Sequence, residues 1–170
     1  MYKSFDEKYY EGDIVIVLFA PEKYNESLKT ALDFLKKSNR KICYVSLNKP
    51  FTNIEGYGKG NLMIIDCVTA SVKKPQSHEN VEFVSSPKAL TEMSIAIKKA
   101  IEKGYDFLFF DSVSTLLLYN DKFTTLKFIH SIISMLRTMN CKGMFVILED
   151  SDNDFIKDLS MFADNIRRFE

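Results

Sequence analysis

Cysteine, histidine and glycine are scarce in this sequence, and so is any imbalance of charge. Its three cysteines, Cys43, Cys67 and Cys141, show no C-x-x-C spacing and lie in or beside apolar runs. That argues against a disulfide framework or a zinc ribbon and for buried, reduced thiols in a cytosolic protein. His78 and His130 have no Cys, Asp or His partner at zinc spacing. Among the six glycines, the one cluster, Gly56, Gly58 and Gly60, precedes a strand-like run instead of opening a helix after one. It reads as a turn and not as a dinucleotide fingerprint. Twenty-three basic and 23 acidic residues cancel, which argues against a DNA-coating or polybasic membrane protein. No apolar run approaches the ~18 residues of a membrane span, and Met1 to Asp13 lacks the apolar core of a signal peptide. The expectation is a soluble cytoplasmic protein with neither membrane nor nucleic acid as partner.

What is present is an alternation of short apolar runs with helical periodicity. In a chain of 170 residues that is 46% hydrophobic and 27% charged, this pattern predicts one α/β domain with a mostly parallel sheet. Asp13–Phe19 is apolar without alternation, as a strand covered on both faces should be. Leu28, Ala31, Leu32 and Leu35 then recur at helical spacing, and Ser38 to Arg40 ends that helix. Strands are expected at Ile42–Leu47, Leu62–Cys67, Val81–Val84, Phe107–Phe110, Met144–Leu148 and Asn165–Phe169. Helices are expected from Ser86 to Gly104, from Lys122 to Met139 and from Asp154 to Phe162. Residues 1–12 read as a lead-in, and the polar, proline-containing segment 68–80 as a flexible surface loop. On the long helix, Phe123, Leu126, Ile129, Ile133 and Leu136 form one apolar row. Phe128, Ile132, Met135 and Met139 form a second, read as core, with a partner surface as the other reading.

Ligands of open parallel sheets bind at the carboxyl ends of the strands, and the acids there are Asp66, Asp111, Glu149 and Asp150. Three acidic strand ends suit a divalent cation, but acids also favour strand exits and helix caps, where they satisfy backbone N–H groups. The capping reading is adopted, and no metal site is assigned. Asp150, Asp152 and Asp154 resemble the start of a calcium loop, yet Phe155 stands where a glycine is needed and Met161 where the bidentate glutamate belongs. There is no G-x-S-x-G elbow, and the strand-end serines Ser46 and Ser112 have no evident histidine partner. Nucleophilic catalysis is not supported.

The most specific segment is Phe107 to Asp121: four apolar residues, Asp111-Ser112, a small apolar stretch and a long helix. It resembles the Walker B region of the KaiC/RadA-type ATPases of the RecA superfamily. Glu11 to Asp13 resembles the entry to that family's first core strand, Lys41–Leu47 its second, and Phe162–Glu170 its closing strand. The resemblance runs in matching order from about Gly12 to Glu170 and implies a three-layer α/β/α RecA-like sandwich. It also implies a phosphate loop at Pro21–Leu28 (PEKYNESL), where neither the glycines nor the key lysine is present. A shifted register keeps Lys29 and Thr30 but puts Lys23 and Leu28 on the two glycine positions, where a Cβ obstructs the approach of the backbone to phosphate. The family's catalytic glutamate follows its second core strand; here Asn48, Lys49 and Pro50 follow Leu47, and none is a carboxylate base.

The resemblance therefore implies a degenerate KaiC-like domain of archaeal type, a pseudo-ATPase without cofactor that serves as a signalling or protein-interaction module. Homo-oligomerisation is a further implication. The alternative is a Mg-ATP-binding enzyme with an unconventional loop, with Lys29, Thr30, Asp111 and Ser112 as the cofactor-binding candidates. A recombinase-like DNA-binding role has little in the sequence to support it, since no Lys/Arg–aromatic stripe accompanies the zero net charge. Asp111 itself is expected to cap the turn after its strand.

Overall fold

The computed structural model describes residues 13–169. The lead-in 1–12, with Glu11 and Gly12, and the terminal Glu170 lie outside the described residues. The strands are β1 (Ile14–Phe19), β2 (Ile42–Ser46), β3 (Leu62–Asp66), β4 (Val81–Phe83), β5 (Phe107–Asp111), β6 (Lys142–Leu148) and β7 (Asn165–Arg168). The helices are α1 (Tyr24–Lys37), α2 (Leu90–Glu102), α3 (Val113–Tyr119), α4 (Lys122–Thr138) and α5 (Asn153–Ser160). All seven strands join one sheet in the order β4-β3-β2-β5-β6-β1-β7, with every neighbouring pair parallel.

Because side chains alternate across a strand, an unbroken apolar run feeds two cores at once. In β1, Ile14 and Ile16 face a core shared with Met93, Ile97, Ile129, Ile133, Phe155 and Leu159 from α2, α4 and α5. Val15, Val17 and Phe19 face the other core, with Leu28, Ala31, Leu32 and Leu35 of α1. Each fully buried Val, Leu, Ile, Phe or Met side chain among them contributes about 1.5–3 kcal/mol, and this division of one run between two faces makes the three layers. Three of the four residues of the second row of α4 belong to the interior: Phe128 and Ile132 are buried and Met135 packs against the same core, while Met139 follows the last turn and is only partly buried. Phe123, grouped with the first row by its spacing, instead projects from the first turn of α4 with 71% of its surface exposed.

Three of the helices stop where the backbone turns left-handed: Asn39 after α1, Gly104 after α2 and Asn140 after α4 have φ of 58°, 96° and 53°. α2 begins at Leu90 and not at Ser86, because Ser86 to Ala89 forms a tight turn held by the Ala89 N–H donating to the Ser86 carbonyl. The sequence reading of Phe107–Asp121 also left α3 unassigned as a separate helix; Asn120, in extended backbone, divides it from α4. At Gly143 a β-carbon would lie 2.7 Å from Leu136 Cδ1 and 3.2 Å from the Phe145 ring, so any larger residue here has to displace core side chains.

Candidate functional site

The pairing register brings three fully buried polar side chains into one row at the carboxyl end of the sheet. Ser46 of β2 lies opposite Asp66 of β3 on one side and Asp111 of β5 on the other. By the same alternation that splits the core, Asp66 and Asp111 end strands whose Leu62, Ile64, Phe107 and Phe109 face α1. Two of the three, Asp66 and Ser46, organise turns.

Asp66 accepts from the Phe51 N–H (2.9 Å), the Val68 and Thr69 N–H groups (both 2.8 Å) and the Thr69 hydroxyl (2.6 Å). It thereby fastens the loop after β2 to the loop after β3, which is the capping role expected of a strand-end acid. The Ser46 hydroxyl donates to the Lys49 carbonyl at 2.6 Å and pins the turn after β2.

Asp111 behaves otherwise. Capping of the next helix falls to Ser112, whose Oγ accepts from the Thr115 N–H at 3.2 Å. The Asp111 carboxylate instead accepts from the Tyr24 hydroxyl, at 2.6 and 2.5 Å from its two oxygens, and from the Tyr44 hydroxyl at 2.5 Å. The Asn48 amide donates to Asp111 at 3.1 Å and to the Tyr24 oxygen at 3.0 Å, and Thr115 donates in turn to Asn48. Burial pushes the Asp111 carboxyl above the usual carboxylate range, while the hydrogen bonds from Tyr24 and Tyr44, the Lys49 charge and the Asn48 amide pull it back. Burial, then the Asp111 charge, raise both phenols, so they stay protonated and act as donors. Lys49 stands 5.7 Å from the Tyr24 ring centroid and donates to Asn25 at 2.7 Å. The Asp111–Ser112 peptide is cis.

Tyr24 comes from the segment that the resemblance aligns with a phosphate loop. Between β1 and α1 there is only Ala20 and a 3-10 turn, Pro21–Lys23, and Tyr24 is the first residue of α1. Lys29 is exposed on the second turn of α1, and the Thr30 hydroxyl donates to the Glu26 carbonyl of the same helix. None of the hydrogen bonds to Asp111 comes from either residue. Of the four candidates, then, Asp111 and Ser112 stand at the same strand exit; Thr30 bonds within its own helix, and Lys29 lines a cleft with Tyr44 and Lys49 without bonding to Asp111. The tyrosines were not singled out from sequence. The available signal was Tyr44 itself, a phenol in the middle of a strand whose other positions are apolar or small.

The remaining acids serve the scaffold. Asp152 caps α5, accepting from the Asp154 and Phe155 N–H groups at 2.9 and 3.1 Å, and Glu149 pairs with Arg168 at 3.0 Å. Among the described residues no group of three His, Cys, Asp or Glu side chains is placed to hold a metal ion. Burial pushes the Cys141 thiol up to about 12 and raises Cys43 and Cys67 as well, so none is poised as a thiolate. No helix of the described residues is long and apolar enough to cross a membrane.

A parallel seven-stranded sheet in this order, with helices on both faces, is a three-layer α/β/α fold of the RecA-like kind. The solved structure of the KaiC-like protein PH0186 from the hyperthermophilic archaeon Pyrococcus horikoshii OT3 superposes with a TM-score of 0.66, covering 91% of this chain and 71% of that one at 11% identity. At that identity the likeness is one of fold. The family of unknown function DUF7504 matches residues 47–166, and the chain belongs to that family. No curated protein matches the sequence.

Proposed function

We propose that this protein is a non-catalytic KaiC-like domain, its nucleotide site degenerate, that works in the cytoplasm as a signalling or protein-interaction module. The observation that carries this reading is the engagement of Asp111 by Tyr24. A Walker B carboxylate serves Mg²⁺ through its free oxygens. Here both oxygens accept from a phenol delivered by the segment that should wrap phosphate. The short β1–α1 connection supplies neither the glycines nor the length of a phosphate cradle. Asn48, at the position of the missing glutamate, is a hydrogen-bond donor to the same carboxylate.

The thermal midpoint with millimolar Mg-ATP tests the non-catalytic half. A live site at ~100 times its Kd adds about 2.7 kcal/mol, or roughly 5–10 °C for a domain of this size. The expected result is no shift in the wild type or in Asp111→Asn. A wild-type shift that Asp111→Asn abolishes would overturn the reading in favour of an ATP-binding enzyme using Asp111.

The interaction half is supported by three apolar residues left in water around the α3–α4 junction: Leu118, Tyr119 and Phe123 are 81%, 46% and 71% exposed. Self-association is its directly testable form. In sedimentation velocity at high concentration the wild type should run heavier than Leu118→Ser/Phe123→Ser, with the variant's stability within ~0.5 kcal/mol of wild type. A sharp wild-type monomer would rule self-association out.

A further inference from the structure

Beside the Asp66 anchor, on the β4 side of the sheet and away from Asp111, the loops after β2 and β3 form a half-open cavity of about 650 Å³. That volume lies in the range of small-molecule sites. Its apolar side is built from Phe51, Val68 and Val72. The Phe51 ring is itself held among aromatic neighbours: His78 tilted at 4.6 Å, Tyr57 edge-on at 5.4 Å and Phe83 at 5.7 Å. Its polar side carries Lys73, Lys74 and His78, and no carboxylate is among the lining residues. Among the described residues neither lysine ammonium makes an ion pair. The walls are preorganised, because the buried Asp66 carboxylate binds Phe51 on one wall and Val68 and Thr69 on the other.

We propose that this cavity binds a small organic anion with a flat apolar body, an aromatic carboxylate or phosphate ester, its ring against the Phe51 wall and its charge toward Lys73 and Lys74. An apolar wall alone would take neutral and charged ligands alike. Two ammonium groups without ion pairs on one side, with no acid among the lining residues and the Asp66 carboxylate already engaged by four hydrogen bonds behind the wall, select for negative charge and against positive. The site does not depend on the reading of Asp111, and ligand binding here is insensitive to Asp111→Asn.

Amide chemical-shift titrations of the full chain test this with four probes: 1-naphthoate, 1-naphthyl phosphate, 1-naphthalenemethanol and inorganic phosphate. The expected result is that one or both aromatic anions, at millimolar concentration, move amides within residues 51–52 and 68–78. The neutral alcohol and inorganic phosphate should bind at least about tenfold more weakly, as a ligand lacking the charge or the ring would. Response to the naphthoate alone identifies a carboxylate ligand, and to the phosphate ester alone a phosphorylated one. Lys73→Gln/Lys74→Gln, which removes only exposed charges, should weaken the anion by about tenfold with the dispersed spectrum retained. The proposal fails if neither anion moves those amides, if the alcohol binds as well as the anions, or if the double variant binds undiminished.

Discussion

Asp66→Ala is expected to cost about 3–5 kcal/mol, a large part of the stability of an ordinary domain. The carboxylate is fully buried and accepts four hydrogen bonds from two loops. Truncation leaves the N–H groups of Phe51 and Thr69 and the Thr69 hydroxyl in a dry site, each costing about 1–3 kcal/mol when unsatisfied. Part of that is recovered as the loops relax and water enters. Asp66→Asn keeps one acceptor oxygen and should lose less. Urea denaturation of the three proteins measures the order directly. A loss below ~1 kcal/mol for Asp66→Ala would mean that the two loops hold their positions without the anchor.

Tyr24→Phe/Tyr44→Phe should produce the second large effect, and one with a pH signature. Both rings keep their packing, Tyr44 on Phe109 and Tyr24 on Phe19, so the change is confined to two hydroxyls. Asp111 then remains buried with Asn48 as its one remaining hydrogen-bond donor among those described. An under-solvated buried carboxylate costs about 3–5 kcal/mol at neutral pH. The sign follows from linkage: burial raises the folded-state value above the unfolded one, so the folded protein binds the proton more tightly. Stability attached to this group is therefore greatest below the unfolded value of about 3.9 and declines as pH rises through the folded one. Loss of the phenol donors raises the folded value further. The gap between wild type and variant should be widest near pH 7 and narrow toward pH 4, as measured by denaturation at each pH. A gap of constant size would assign the loss to packing and not to the carboxylate.

The fold was legible in the sequence to a degree that the site was not. The strands β1, β2, β3, β5 and β6 were marked by largely apolar runs, because a sheet covered on both faces writes itself in Val, Ile, Leu and Phe, whereas the edge strands β4 (VEF) and β7 (NIRR) carry no such run. Boundaries shifted by a residue or two, as at β6, which begins at Lys142 because its first residues pair with β5 before the apolar stretch starts. Phe123 misled because helical spacing reports which side of a helix a residue lies on and not whether anything packs there. On the same turn of α4 Thr125 is buried, while Phe123 points to water. Asp111 was found by motif, and its position at a strand exit was right. Its partners were not visible, since Tyr24 and Tyr44 are brought to it by sheet order across separations of 87 and 67 residues. No local pattern encodes such a meeting. By contrast, the role of Asp66 follows from a rule that sequence can apply: a buried strand-end acid satisfies the N–H groups next to it.

The strand order also governs how the chain is made. β1 pairs only with β6 and β7, so its first partners lie about 130 residues downstream along the chain. During synthesis, at roughly 5–20 residues per second, its unbroken apolar run leaves the ribosome early and waits for many seconds without a neighbour on either side. β2, β3 and β4 can zip together meanwhile, but the middle of the sheet closes only when residues 142–168 emerge. For that interval the nascent chain carries six consecutive apolar residues with open hydrogen-bonding edges, a segment that calls for shielding by a chaperone in the cell.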